Sequence, residues 1–364
     1  MRKTVSPDSI FIPLSANGIN DNREEEENMI NALKLSLATT ICVSAILAGS
    51  SSYAETMKLG LSMPTLNTPF FTVLINAATE QAKSGGGNVV QTTNANRDAS
   101  QQVTDFRNLI NAGANVILAG VVDRSAIKPA LDYAKSKNVP VVIVDDKPAA
   151  GDVYAVVRAD NLRMGASAAE ALAAAMPNKK ATVLHITGGL TTTNGRDRKN
   201  GFDEAFKKAS STKVIEQTAN WEGPQAANVA STVMSGNPDI GGIYLATDTL
   251  YYDPVAAALK SRSRLVPAGQ DGHIAIVAID GGASAMKAIR DGVLDATVSQ
   301  PVTDYAKYGV IYLQAALDGK EMKEGPTDHN STVVKDGKYF VDNLPSPVVT
   351  KKNVDDPSLW GNAK

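Results

Sequence analysis

From Lys58 onward, short runs of apolar, largely β-branched residues alternate with segments whose apolar positions recur at helical spacing. The predicted strands are 58–62, 88–92, 116–119, 141–144 and 154–157, then 182–186, 213–217, 242–245, 275–279 and 295–299. Helices fill the intervals. Thr68 and Pro69 form an N-cap and first-turn pair, Phe71, Leu74 and Ala78 share one face, and Gly85 is the stop. Asp98, with Gln101 three residues on, opens a second helix that turns Val103, Phe106 and Ile110 inward and ends at Gly113. Strands alternating with helices predict βαβ units and parallel sheets.

The pattern occurs twice. Residues 115–120 (NVILAG), a helix and 141–145 (VVIVD) are echoed by 242–247 (GIYLAT), a helix and 276–280 (IVAID), so each half ends its fourth strand in an aspartate. The expected fold is therefore α/β, two similar doubly wound parallel-sheet domains with a ligand between them at the carboxyl ends of the strands. A length of 364 residues suits two cores better than one. The expected division is 55–159 plus 301–324 for the first domain and 160–300 plus 325–350 for the second, with 351–364 as a tail. Three crossings, near 159–161, 300 and 325, then make a three-segment hinge, and a helix over 303–318 returns to the first domain.

Residues 1–54 are set apart. Leu35 to Ala48 is an apolar run preceded by Lys34 and followed by small residues to Ala54, which reads as a signal peptide cleaved after Ala54. It is too short for a comfortable membrane span. The acidic block Glu24–Glu27 opposes export, so Met29 is the expected start and the mature chain begins at Glu55. Cleavage leaves 32 basic and 32 acidic residues and removes Cys42, the sole cysteine.

The near-neutral charge, -2 for the whole chain, and the lack of a Lys/Arg stripe argue against nucleic acid as a partner. One cysteine permits neither an intrachain disulfide nor a cysteine-based zinc site, and His185, His273 and His329 lie far apart in sequence. No nucleophile elbow or phosphate loop is present; Gly85–Gly87 follows a helix, and Gly188–Gly189 reads as a connector. A protein without catalysis, cofactor or metal is expected.

Several segments in order carry a resemblance: Thr65–Phe71 (TLNTPFF) after the first strand, Val144–Asp145 after the fourth, Arg196–Phe202 (RDRKNGF), Ile279–Gly281 (IDG) and Ala296–Gln300 (ATVSQ). From about Lys58 to Val349 the chain resembles the periplasmic ribose-binding protein family, type I periplasmic binding proteins that serve sugar ABC transporters. The resemblance implies a monomer that closes around a sugar or polyol and presents its closed surface to an ABC transporter permease. It implies Phe70 and Phe71 against the sugar ring from one domain and Trp221 from the other, Asp145 and Asp280 accepting from hydroxyls, Arg198 donating, and Gln300 bonding from the hinge. Apolar C–H faces of a pyranose suit such flat partners. Phe71 also fits a core position, and Asp280 before Gly281–Gly282 also fits a turn or helix cap. Arg196 is expected toward Asp197 or solvent.

The departures bear on the ligand. Thr68, Gly120 and Thr247–Asp248 stand where ribose binders have asparagine, asparagine and Asn-Asp, and Asp146 stands where they have arginine. Lost donors at Thr68, Thr247 and Asp146 speak against ribose, while Gly120 is read as room for a larger ligand. Asp145, Asp146 and Asp280 facing Arg198 would repel an anion, so a neutral sugar, cyclitol or sugar alcohol is expected. A periplasmic sensor feeding a chemoreceptor or kinase is the alternative. A regulator of the lac repressor family is disfavoured, because no basic recognition helix precedes the α/β domains.

Overall fold

The computed structural model describes residues 55–363. The apolar run, Cys42 and the expected cleavage point lie outside the described residues. The chain proceeds through β1 (Lys58–Met63), α1 (Pro69–Ser84), β2 (Asn88–Asn94), α2 (Ala99–Asn111), β3 (Val116–Ala119), α3 (Lys128–Ser136), β4 (Val141–Val144) and β5 (Ala155–Ala159). Next come α4 (Asn161–Ala175), β6 (Thr182–Thr187), α5 (Thr193–Ala209), β7 (Val214–Thr218), α6 (Gly223–Gly236), β8 (Ile240–Leu245), α7 (Asp248–Lys260), β9 (Ala275–Asp280), α8 (Ala283–Asp291) and β10 (Ala296–Ser299). It ends with α9 (Val302–Leu317), β11 (Gly325–Pro326), β12 (Thr332–Asp336), β13 (Tyr339–Leu344) and β14 (Val348–Val349).

The parallel strands run β2-β1-β3-β4-β5 in one sheet and β7-β6-β8-β9-β10 in the other. The order is the same in both, as the repeated pattern predicts. β3, β4, β5, β6 and β9 are buried along their whole length. Continuous apolar runs are what a parallel sheet covered on both faces requires. Each strand order reverses at its first strand, and there the loops after β1 and β3, or after β6 and β8, part to leave a crevice. Among the described residues no helix is long and apolar enough to cross a membrane.

The expected division of the chain is corrected at its third crossing. Residues 325–344 extend the first sheet, in the order β5-β13-β12-β11, instead of joining the second domain. β13 lies parallel to β5, with Val341 opposite Val156, and forms a hairpin with β12 across Gly337 and Lys338. Tyr339, Val341 and Leu344 are buried, and the buried Asp342 is satisfied by Tyr312, His329 and Ser331. The charged stretch around Lys335–Lys338 conceals this alternation in the sequence. The chain crosses only after Leu344, where β14 pairs antiparallel with β10. As expected, α9 packs on α1 and on β3 to β5 of the first lobe.

Two glycines set the position of α5, the helix that carries Arg198. A Cβ at Gly165 would stand 2.1 Å from the Arg198 carbonyl oxygen, and one at Gly201 would stand 1.9 Å from that of Leu162. α4 and α5 thus touch backbone to backbone. Gly165→Ala should push them apart and destabilise the protein by about 1–3 kcal/mol through overpacking. Urea unfolding checks this; an unchanged midpoint would show that the contact is loose.

Candidate functional site

The carboxyl ends of the strands of both lobes border a cavity of about 310 Å³. All nine residues expected at a site line it: Phe70, Phe71, Asp145, Asp146, Arg198, Trp221, Thr247, Asp280 and Gln300.

Asp280 ends β9 and is the hub. Its Oδ1 accepts from Arg198 Nη1 at 3.1 Å and Gln300 Nε2 at 2.7 Å, and its Oδ2 accepts from Thr249 Oγ1 at 2.8 Å and from Thr247 Oγ1. It caps no helix. The turn after it is held by Asp248, whose carboxylate accepts the Gly281 and Gly282 amides at 2.7 and 2.9 Å. Burial, then the nearby Asp280 charge, holds the Asp248 carboxyl well above the usual range. Arg198 is 2 % exposed. It donates through Nε to Asn161 Oδ1 at 2.7 Å and through Nη1 to the Ala246 carbonyl at 2.7 Å, so the protein's own acceptors fix its plane.

Asp145 follows β4 with φ 70°, the left-handed region that a short polar side chain tolerates. Its Oδ1 accepts from Asn194 Nδ2 at 3.0 Å, across the cleft. Burial pushes its carboxyl up to about 7; Arg198 opposes the shift, and Asp146 and Asp280 add to it. Asp146 also spans the cleft, accepting the Thr193 amide at 3.2 and 3.3 Å and the Lys147 amide at 2.7 Å. Its carboxylate sits at the start of α5, where the helix dipole favours negative charge.

The aromatic residues divide their work. Phe70 is 6 % exposed and packs in the core against Tyr305 and Trp360, whereas Phe71 is half-buried and meets Phe70 edge-on at 5.0 Å. Of the pair, Phe70 therefore carries more of the packing that the sequence pattern assigns to Phe71. Trp221, with φ 65°, lays its indole over Gly188 and Gly189, where a Cβ on Gly188 would come within 2.1 Å of the ring. The glycine pair expected as a plain connector is thus the seat of this tryptophan. Arg198 Cζ stands 5.8 Å from the ring centroid. The space expected at Gly120 is already filled, since a Cβ there would meet Pro64 Cδ at 2.8 Å and Phe71 Cε1 at 3.3 Å.

The profile of the family described as "Periplasmic binding protein domain" matches residues 59–321. The chain belongs to the periplasmic binding protein family. It is 29% identical over 275 residues to the ribose import binding protein RbsB of Bacillus subtilis (strain 168), covering 76% of this chain and 86% of that protein. It is 26% identical over 329 residues to the xylitol-binding protein of Mycolicibacterium smegmatis, covering 90% and 86%. Among solved structures, an ABC transporter periplasmic solute binding protein from Actinobacillus succinogenes 130z with bound D-allose superposes with a TM-score of 0.71 at 24% identity, over 82% of this chain and 99% of that one. Members of this family are solute-binding proteins, and the fold is that of type I periplasmic binding proteins.

In this periplasmic binding protein several site residues escape a reading of the sequence. Arg158, on the otherwise apolar β5, donates through Nη2 to Asn194 Oδ1 at 3.2 Å and Asp197 Oδ2 at 2.9 Å. A lone arginine in a buried strand was the available signal. Asp197 therefore pairs with Arg158, while Arg196 donates to the Leu190 carbonyl at 2.8 Å. Arg97 reaches across the cleft to the Trp221 carbonyl and to Glu222, both at 3.2 Å. Tyr305 ties the end of β5 to the residue after β10, donating to Gln300 Oε1 and accepting the Ala159 amide, each at 2.9 Å. The cations that line the site rise from one to two, Arg198 and Arg97, with Arg158 behind them, and each has its own protein anion. Elsewhere, His185, Asp203 and Glu216 bring ligand-type atoms within 4.8 Å of one another. Lys199 Nζ already bonds both carboxylates there, at 2.5 and 2.8 Å.

Proposed function

We propose that the protein is a periplasmic solute-binding protein of an ABC importer, closing its two lobes by a hinge around one neutral sugar, cyclitol or sugar alcohol. The carrying observation is the internal pairing of the site's charges. Arg198 with Asp280, Arg158 with Asp197 and Arg97 with Glu222 leave no surplus cation for an anionic ligand. Asp145, Asn194 and the threonines offer the adjacent acceptors and donors that vicinal hydroxyls need, and Phe71 and Trp221 supply apolar faces. A cavity of about 310 Å³ lies at the small end of ligand sites, which run from roughly 300 to 1,000 Å³. One monosaccharide or polyol suits it better than an oligosaccharide.

The relatives support the class, since two of those reported above are named for ribose and xylitol and the third holds D-allose, all neutral and rich in hydroxyls. Asp146 replaces a donor with an acceptor, which disfavours ribose itself. The family and the apolar run 35–48 support export to the periplasm with cleavage after Ala54, action as a monomer, and a membrane permease as the partner.

A thermal-shift screen of the chain from Glu55 against pentoses, hexoses, cyclitols, sugar alcohols and sugar acids tests this. A true ligand at 100 times its Kd should add about 2.7 kcal/mol of stability. Small-angle scattering should show compaction on saturation. A response confined to sugar acids would contradict the proposal, as would saturation without compaction.

A further inference from the structure

Beyond β14 the chain runs back along the second lobe. Val354 and Leu359 are buried in that lobe's apolar core. Arg290 of α8 grips the segment from outside, with Nε 2.7 Å from Asp355 Oδ1 and Nη2 3.2 Å from the Val354 carbonyl and 2.8 Å from Asn362 Oδ1. This grip delivers Trp360, 5 % exposed, beneath the binding site.

There the indole touches both lobes. Its Nε1 donates to the Asp280 carbonyl at 2.7 Å, and the same carbonyl accepts the Gln300 amide at 2.8 Å. On the other side its ring meets Phe70 of the first lobe edge-on, with centroids 6.2 Å apart and planes at 88°. Gly361 follows so closely on Gly281 that a Cβ would lie 2.2 Å from the Gly281 oxygen.

Asp280 has a φ of 124°, a region that residues with a Cβ rarely adopt. Such a conformation persists only where its surroundings over-determine it. Here those surroundings include two donors on one carbonyl and a glycine backbone pressed against the next residue.

We propose that residues 350–363 form a latch of the binding site, with Trp360 as the positioning residue that holds the Asp280 main chain so that its carboxylate meets Arg198. Trp360 also ties the floor of the second lobe to Phe70, so the latch favours the closed arrangement. The restraint on the main chain stands by itself; its effect on affinity rests on the reading of Asp280 as a ligand group.

The test uses the chain from Glu55 with W360F, which keeps a ring beside Phe70 but lacks the donor, and R290A, which frees the segment far from the cleft. In unliganded protein, hydrogen exchange at 278–284 and 298–302 should rise about tenfold or more in both variants, while β1 and β6 keep wild-type rates. With D-allose, xylitol and myo-inositol as probes, the Kd of the one that binds wild type best should rise about tenfold in W360F. Wild-type exchange at 278–284 in a folded W360F or R290A, or a rise spread evenly over the chain, overturns the latch. An unchanged Kd overturns its role in binding. If no probe binds the wild type, the sugar reading fails separately and the exchange result still decides the latch.

Discussion

The Asp280→Ala variant will lose ligand binding and about 3–5 kcal/mol of the unliganded protein's stability together, because it leaves the buried Arg198 guanidinium without its anion. From the sequence, a ligand carboxylate at this position would be removable at little structural expense. The geometry says otherwise, since four protein donors converge on Asp280. Asp280→Asn separates the two roles. The amide keeps the volume, lets Oδ1 accept from Arg198 and Gln300, and points an NH₂ group at the two threonine hydroxyls. Its unfolding should therefore be disturbed less than that of the alanine variant, while the loss of the charge that holds Arg198 toward the ligand should weaken ligand affinity by about 10- to 100-fold, the equivalent of one charge-assisted hydrogen bond at about 1.5–3 kcal/mol. Urea melts and titration calorimetry give the two numbers. Wild-type affinity in Asp280→Asn would make Asp280 a scaffold group only.

What the sequence shows of this site, and what it hides, follows from how far apart the interacting residues lie. Asp145 and Asp280 were legible because each closes an apolar β-branched run at an equivalent place in a repeated pattern. Their neighbours along the chain are their structural context. Arg158, Arg97 and Asn194 were not, because each acts across the cleft on a partner from the other lobe, 36 to 124 positions away. No local period records such a pairing. The hairpin over 332–344 is hidden for a different reason: the exposed Lys335, Asp336 and Lys338 around its turn interrupt the apolar run. Trp360 lay in a segment read as a tail, where Pro357 and Asn362 look like loop residues. Its burial depends on Arg290 and on the glycines at 281 and 282, and none of these announces a binding site by itself. At Gly120 an absent side chain looks, in the sequence, like space for a ligand. Pro64 and Phe71 take that space.

Through Asp145, ligand affinity and unliganded stability should respond to pH in opposite directions. Burial raises its carboxyl from the unfolded range near 3.8 to about 7, so between those values the folded chain retains a proton that the unfolded chain has released. Folding therefore binds a proton at Asp145 in this window, and the Asp145 contribution to stability falls as pH rises from about 4 to about 7, then levels off. A ligand hydroxyl donating to Asp145 favours the ionised carboxylate, so affinity must rise over the upper part of the same window and level above it. The charged groups that act on Asp145 are Arg198 and Arg158, which lower its pKa, and Asp146 and Asp280, which raise it. Asp146 and Asp248 are themselves pushed up by burial, so wild type alone would mix several titrations. Asp145→Asn removes one of them and keeps an acceptor for Asn194. The difference between wild type and Asp145→Asn, in melting temperature and in calorimetric affinity from pH 5 to 8, isolates the Asp145 contribution. Parallel pH profiles in the two proteins would show that Asp145 is ionised throughout and that the cleft is wetter than its enclosure implies.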